Sequence, residues 1–290
     1  MYALNTLFIR KKMMKIRCKI IWTLLLTGVL FLFQMQSVGV KASAENPYGW
    51  AKISSYTTYF DGGDVGRSKN IAIAADLIDG VTLQAYGEFS FNATVGRRTE
   101  EAGFRQAKII VNGEYVSGVG GGVCQVSTTL YNASLKSGLQ ILEYHPHSLQ
   151  VGYVSPSRDA MVSTGSDLRI FNPHAFPVYL SAKTTKGSVC VTFFGEKVGC
   201  RYEIISKILA EIPSPAPIIK EGDKDEIIRP SKNGMKSEAY LECYRGNTLL
   251  YRKRLRVDEY RPIQGIIGKK IAKDVKKIPS NACLFFRKVL

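Results

Sequence analysis

A glycine-rich run ends at a cysteine in the stretch GVGGGVCQVSTTLYNASLKSG, which occupies residues 118–138. Glycine has no Cβ, so such a run can adopt positive φ angles and allow another backbone to approach closely. The serine- and threonine-rich segment after the cysteine has helical spacing and predicts a helix over residues 125–137. The chain must therefore fold with a tight glycine loop, a thiol and a helix start in one place.

Helical and strand patterns are mixed without regular alternation along the rest of the chain. The stretch SKNIAIAADLID predicts a helix with Ser68 as its N-cap, and FSFNATV, AKIIV, LRIFN, VYLSAKTT and SVCVTFFGE predict short strands. Farther on, KSEAYLECYRG and NTLLYRKRLRVDEY predict a hairpin whose turn is Arg245-Gly246-Asn247. This mixture predicts an α+β fold, with two main helices among short strands and a small β-rich domain after them.

Composition divides the chain into successive segments. The N-terminus has a basic stretch, a short apolar stretch over residues 20–33 and an Ala42-Ser43-Ala44 site, which are typical of a secretory signal peptide. An uncleaved membrane anchor is the alternative. The predicted segments are a signal peptide (1–44), a main domain (45–200), a Pro-rich linker (201–214), a small β-rich domain (215–268) and a basic tail (269–290).

The chain is basic, with 40 Lys and Arg against 24 Asp and Glu and a formal net charge of +16, which falls to +9 without residues 1–44. Outside the cytoplasm, this excess favours anionic partners such as a cell-wall polymer, peptidoglycan or a lipid surface. Nucleic acid is not expected, because no motif for it is present. Arg252, Arg254 and Arg256 alternate along a predicted strand, so we expect them to share one anion-binding face. No cofactor is expected, and the oligomeric state is left open.

Cys124 is the candidate nucleophile. Unpaired amides and the helix dipole at a helix start stabilise a thiolate. The stretch LEYHPHS predicts a strand that places Glu143, His145 and His147 on one face, and a return from helix to strand would bring this face beside the thiol. One histidine would serve as base, oriented by Glu143 or Asp159.

The loop and the helix supply further candidate groups. We expect the backbone amides of residues 122–124 to receive an oxyanion. The predicted ligand-binding residues are Gly120, Gly121, Gly122, Gln125, Ser127 and Thr128. Three alternatives remain: a buried small hydrophobe at Cys124, a zinc site of Cys124, His145 and His147, or a ligand site without chemistry. The prediction has no metal at the site.

Beyond the signal segment the chain holds five cysteines, an odd number, so at least one thiol is free or paired between chains. We expect Cys124 to be free. Cys190 and Cys200 flank the predicted turn FFGEKVG and are the most plausible disulfide.

The motifs NIAIAADLIDG, GEFSFNATVG, GGGVCQVSTTLYNA, EYHPHS and SRDAMVSTGSDLRIFN occur in this order, and together they resemble the VanW family of bacterial cell-envelope proteins. The C-terminal piece, with NGMKSEAYLECYRGN and EYRPIQGIIGKK, resembles the G-five domain. The family takes its name from a glycopeptide-resistance gene cluster, and the resemblance implies a wall-associated protein without naming a reaction.

Two functions follow as expectations. The first is a secreted or membrane-anchored Cys/His-dependent acyl transferase or hydrolase that acts on peptidoglycan peptides. The second is a non-catalytic cell-wall binding protein associated with envelope stress or glycopeptide resistance. The sequence leaves open which of the two classes, enzyme or binding protein, is correct.

Overall fold

The computed structural model describes residues 48–111 and 113–270. The predicted signal peptide, Cys283 and nearly all of the predicted basic tail lie outside the described residues. Within those ranges, no helix has the length and apolar character needed to cross a membrane. The helices are α1 (Val65–Ile78), α2 (Phe91–Val95) and α3 (Val123–Lys136). The strands are β1 (Ala51–Tyr59), β2 (Thr82–Leu83), β3 (Glu88–Ser90), β4 (Gln106–Val111), β5 (Glu114–Val119), β6 (Gln140–Glu143), β7 (Arg169–Phe171), β8 (Val178–Thr184), β9 (Ser188–Gly195), β10 (Arg201–Ile212), β11 (Ile218–Gly222), β12 (Glu226–Arg229), β13 (Gly234–Arg245), β14 (Thr248–Tyr260) and β15 (Ile266–Lys270).

The strands form small sheets rather than one continuous sheet. In the first part of the chain the sheet orders are β1-β9-β8-β2, β3-β7-β6 and β4-β5. In the C-terminal part they are β10-β13-β14 and β11-β15-β12. Strand pairing is antiparallel except between β11 and β15. Separate helices packed among antiparallel sheets make this an α+β fold, as predicted.

Two element boundaries differ from the sequence-based prediction because side chains cap the helices elsewhere. Asp64, not Ser68, caps α1: its carboxylate accepts a hydrogen bond of 2.9 Å from the Arg67 amide. In FSFNATV the strand stops at Ser90, whose hydroxyl accepts from the Ala93 amide and starts α2. The buried face of α1 has the predicted helical spacing and includes Ile71, Ala74, Ala75 and Ile78.

Helix α3 is buried on nearly every face although it is rich in hydroxyl and amide side chains. Many of these groups bond to carbonyls four residues earlier in the helix, for example Thr129 to the Gln125 oxygen at 2.7 Å and Ser134 to the Leu130 oxygen at 2.8 Å. Such bonds satisfy polar groups without water. The serine- and threonine-rich sequence is therefore compatible with a helix in the centre of the core.

The C-terminal strands pack onto the main domain. Residues 201–212 of the predicted linker form β10, which pairs with β13, so the linker prediction is wrong over this stretch. Ile204 on β10 and Leu241 on β13 belong to the same hydrophobic core as α1 and α3. The predicted hairpin of β13 and β14 is confirmed, with a turn at Gly246, whose φ is +57°. The shared core argues against two independently folding pieces.

A register shift in β14 changes which arginines face solvent. Ala239 lies opposite Arg256 and Tyr240 lies opposite Arg254, so one extra residue bulges from β14. Arg252 and Arg254 stay exposed, but Arg256 turns inward and is 4% exposed. The predicted face shared by the three arginines is therefore wrong.

The four described cysteines are free thiols, so the expected Cys190–Cys200 disulfide is absent. The Cys190 thiol instead lies 3.5 Å from the Ser55 hydroxyl. Cys200 is a neighbour of Cys243, whose pKa is raised by burial and by the nearby Cys200 thiol. Strand pairing of β10 with β13 brings these two cysteines together, which sequence spacing does not indicate.

Candidate functional site

The glycine loop sets the start of α3 and leaves no room for side chains. Gly120 and Gly122 have φ angles of +89° and +107°, and Gly122 is the N-cap of the helix. A Cβ built on Gly121 would lie 2.6 Å from the Lys108 carbonyl oxygen. The run therefore needs glycine, and it places Cys124 in the first turn of α3.

Cys124, His147 and Asp159 lie next to one another in this order. The His147 Nδ1 lies 2.7 Å from Asp159 Oδ2, and the His147 backbone amide donates to the same oxygen at 2.8 Å. This leaves the Nε2 side of the ring for Cys124, which lies close enough to His147 for each group to stabilise the charge of the other. The thiol also lies 3.4 Å from the Val162 carbonyl oxygen. The order thiol, imidazole, carboxylate is the arrangement that activates a nucleophile.

The charges of these groups support one another. Burial by itself disfavours ionisation of both the thiol and the imidazole. The hydrogen bond and attraction between them, with Arg98 near the thiol, outweigh burial and lower the pKa of Cys124. Burial likewise opposes the His147 charge, but Asp159 and Cys124 raise the pKa of His147 to about 9. Both shifts favour the charged forms, so the pair is biased toward a thiolate beside an imidazolium.

Two residues of β14 hold the carboxylate in place. The Tyr260 hydroxyl donates to Asp159 Oδ1 at 2.5 Å, and Arg256 donates to the Asp159 carbonyl oxygen at 2.5 Å. Burial opposes the charge of Asp159, but the bond to His147 and the positive charges of His147 and Arg256 lower its pKa to about 2. Sequence reasoning missed both residues, because about 100 positions separate them from Asp159 and no motif connects them.

The predicted ligand-binding residues divide into two groups. Gly120, Gly121, Gly122 and Gln125 line the cavity beside Cys124, whereas Ser127 and Thr128 do not. Ser127 donates to the Ala160 carbonyl oxygen at 2.6 Å, and Thr128 accepts from the Ala160 amide at 2.9 Å. These two hydroxyls therefore hold the segment that carries Asp159.

His145 lies apart from the thiol. Strand β6 ends at Glu143, before either histidine, so the predicted common face does not form. His145 is half-exposed, and its Nε2 lies 2.9 Å from the Glu143 carboxylate. Among residues 48–111 and 113–270, no three His, Cys, Asp or Glu side chains are grouped to hold a metal ion. With His145 turned away, the zinc alternative lacks its third ligand.

The third histidine of the chain, His174, is half-buried. Its ring stacks on Phe176 with centroids 4.9 Å apart, and its Nε2 lies 3.0 Å from the Ser137 carbonyl oxygen. It lies outside the cavity lining.

A cavity of about 770 Å³ opens beside the thiol. Its walls come from the glycine loop, the loop after α2, strands β4 and β5, and residues near 151–153 and 161–164. Both Cys124 and His147 line it, while Asp159 lies behind His147 and away from the cavity. A substrate in the cavity can thus reach the thiol and the imidazole but not the carboxylate.

The loop also offers backbone donors. The amides of Gly120, Val123 and Gln125 bond to carbonyls of the protein. Within the described part of the chain, the amides of Gly121, Gly122 and Cys124 make no such bond. Free amides at the start of a helix can receive a negatively charged oxygen. The structure thus offers donors for the predicted oxyanion site, although the Val123 amide is already occupied.

Comparison with known proteins finds similarity over the part of the chain that holds the site. Residues 66–194 match the family model described as VanW like protein. A protein of Bacillus subtilis (strain 168), described as Uncharacterized protein YoaR, is 41% identical over 172 residues, which are 59% of this chain and 55% of that protein. The chain thus spans about half the length of the curated relative that it matches. A solved structure described as HP0197-G5 is 13% identical and covers 24% of this chain and 93% of its own, with a TM-score of 0.15. The matched residues 66–194, which are similar to the VanW family, include Cys124, His147, Asp159 and every residue that lines the cavity.

Proposed function

We propose that Cys124, His147 and Asp159 form a catalytic triad for acyl transfer or hydrolysis, in a secreted or membrane-anchored protein that acts on peptidoglycan peptides. The observation that carries the proposal is the Cys124–His147–Asp159 chain at the wall of an open cavity. A buried structural cysteine has no need of a protonated imidazole beside it. The peptidoglycan substrate is what the resemblance to envelope proteins suggests.

In the first step the Cys124 thiolate attacks the carbonyl carbon of the substrate. The carbonyl oxygen becomes negative in the tetrahedral intermediate and is received by the free amides of Gly121, Gly122 and Cys124. The imidazolium of His147 then gives its proton to the leaving amine as the carbon–nitrogen bond breaks. The products of this step are a free amine and a thioester on Cys124.

In the second step neutral His147 takes a proton from water or from an acceptor amine, which attacks the thioester. Collapse of the intermediate releases the acid or the new amide and restores the thiolate–imidazolium pair. Asp159 keeps its charge throughout and holds the ring through Nδ1. Water gives hydrolysis and an amine gives transfer, and the same side chains serve both.

Alkylation of the full chain with iodoacetamide at pH 6.5, followed by peptide mapping of Cys124, tests the nucleophile. We expect Cys124 to react at least about tenfold faster than an ordinary exposed thiol, because the lowered pKa provides thiolate at this pH. His147→Gln should slow the reaction. His145→Gln is the matched control and should leave the rate unchanged, because His145 bonds to Glu143 instead.

Incubation with purified stem peptides and measurement of intact mass tests the chemistry. A peptide mass retained on the wild type and absent from Cys124→Ala identifies the thioester. Slow alkylation that is unchanged in both histidine variants would contradict the triad and leave wall binding as the function. Fast alkylation of Cys124 without any acyl-enzyme would support Cys124 as a nucleophile but would show that the stem peptide is not its substrate.

A further inference from the structure

We propose that the cavity beside Cys124 selects substrates that carry a carboxylate close to the scissile carbonyl, with Arg67 and Arg98 as the residues that recognise it. This inference rests on the proposed function and names the charge class of its substrate.

The cavity lining is positively charged. It includes Arg67, Arg97, Arg98 and Lys108 in addition to His147. Of the described residues that line it, none is an aspartate or a glutamate. Asp159 lies behind His147, where it is 1% exposed and already bonded to Tyr260 and Arg256. Four cations that face one cavity without an acid raise the local concentration of anions.

These four cations form no ion pair in the described part of the chain. Ion pairs in the described part of the chain involve other residues, and none includes Arg67, Arg97, Arg98 or Lys108. The exposed fraction is intermediate for Arg67 and Arg98, so both have lost part of their hydration, and neither has a carboxylate at ion-pairing distance. Asp167 and the Cys124 sulfur act on the Arg98 charge only from farther away. An arriving anion would supply the charge partner that each lacks.

The two arginines are held by neutral groups. The Arg67 guanidinium donates to Gln125 Oε1 at 2.7 Å and lies over the Tyr153 ring. The Arg98 guanidinium donates to Asn92 Oδ1 at 2.6 Å and lies over the Phe91 ring. These contacts fix the position of each guanidinium and leave its charge available. A fixed planar donor is suited to bidentate recognition of a carboxylate.

Both arginines lie close to the reacting sulfur. Arg67 bonds to the residue that follows Cys124, and Arg98 is near enough to Cys124 for its charge to stabilise the thiolate. A carboxylate held by them would therefore lie only a few bonds from the attacked carbonyl. Lys108 and Arg97 also line the cavity and are exposed, so their charges attract an anion from solvent.

A pair of thiol reagents separates charge selection from nucleophilicity. Iodoacetate and iodoacetamide alkylate the same thiolate, but only iodoacetate carries a carboxylate. The ratio of their rate constants at Cys124, measured by peptide mapping of the full chain at low salt, cancels the reactivity of the thiol. We expect this ratio to be at least about tenfold higher than for glutathione, and to fall toward the glutathione value in 0.5 M NaCl.

Charge-removing variants locate the selection. Arg67→Gln and Arg98→Gln should each lower the ratio severalfold, and Arg98→Gln should also slow both reagents because it removes a charge near the thiolate. Arg254→Gln is the matched control, since Arg254 is exposed on β14 and does not line the cavity. It should leave the ratio unchanged.

The outcomes distinguish this inference from the proposed function. A ratio equal to that of glutathione and unaffected by Arg67→Gln or Arg98→Gln would overturn charge selection, even if Cys124 reacts fast. If both reagents react too slowly to measure, the proposed triad is wrong. In that case binding of a dicarboxylate, glutarate, tests the two arginines instead, with the rise in Tm as the measurement. If glutarate raises the Tm of the wild type but not that of the variant with both Arg67→Gln and Arg98→Gln, the inference is supported. If glutarate raises the Tm of neither protein, the inference is overturned.

Discussion

Replacing Tyr260 by phenylalanine tests whether the C-terminal strands complete the candidate site. The Tyr260 hydroxyl is buried, donates to Asp159 Oδ1 at 2.5 Å and accepts from the Ser157 amide at 2.7 Å. Phenylalanine keeps the ring and removes both bonds. Asp159 loses one donor, and the amide of Ser157 loses its acceptor.

The loss of stability can be estimated from these two contacts. A hydrogen bond to a charged group contributes about 1.5–3 kcal/mol, and an unsatisfied buried amide costs about 1–3 kcal/mol. Asp159 keeps its two bonds to His147, and the vacated space lets the site relax, so the full sum is not expected. We expect the free energy of unfolding to fall by about 2–4 kcal/mol, which lowers Tm by roughly 5–12 °C for a domain of this size.

Urea unfolding followed by circular dichroism measures this change, with Tyr59→Phe as the control. Tyr59 is 73% exposed, so its variant should stay within about 0.5 kcal/mol of the wild type. Because Tyr260 orients Asp159 and thereby His147, Tyr260→Phe should also slow alkylation of Cys124 at pH 6.5. A loss no larger than that of the control would refute the reasoning. Two separate unfolding transitions, with only one shifted, would show that the C-terminal strands fold independently.

Two further outcomes follow from the site. The pKa of Cys124 is lowered, so kcat/KM should rise with pH as the thiol ionises, and this rise should occur below the ordinary pKa of a cysteine. The pKa of His147 is raised to about 9, so kcat/KM should fall above about pH 9, because His147 then loses the proton that it gives to the leaving group. A pH–rate profile with no alkaline fall would contradict the role of His147. Gly121→Ala would press a Cβ against the Lys108 carbonyl oxygen, so we expect the free energy of unfolding to fall by about 1–3 kcal/mol and the alkylation of Cys124 to slow. Gly199→Ala is the control, since Gly199 has open space and does not line the cavity, and it should change neither thermal unfolding nor alkylation.

The sequence predicted the parts of the site that depend on neighbouring residues. The glycine run has to lie close to another backbone, and the structure shows why: a Cβ on Gly121 would meet the Lys108 carbonyl. Helical spacing predicted α3, so a thiol in its first turn also followed from sequence. The hairpin turn at Gly246 followed from turn chemistry in the same way.

Errors arose where a side chain or a distant strand decided the outcome. The alternation of LEYHPHS predicted one face for both histidines, but β6 ends at Glu143 and only His147 turns toward the thiol. Alternation along β14 failed for Arg256 because a bulge opposite Ala239 and Tyr240 reverses its side. Periodicity gives no information about where a strand ends or bulges.

Sequence by itself determined the nucleophile candidate, the α+β class and the VanW resemblance, because each depends on residues that are adjacent or regularly spaced. Only the tertiary structure chose His147 over His145 and Asp159 over Glu143, and only it brought Tyr260 to the carboxylate. These choices depend on which chain segments pack together over tens of residues. A buried carboxylate must be paired wherever the fold leaves it, so its partners are fixed by packing and not by position in the chain.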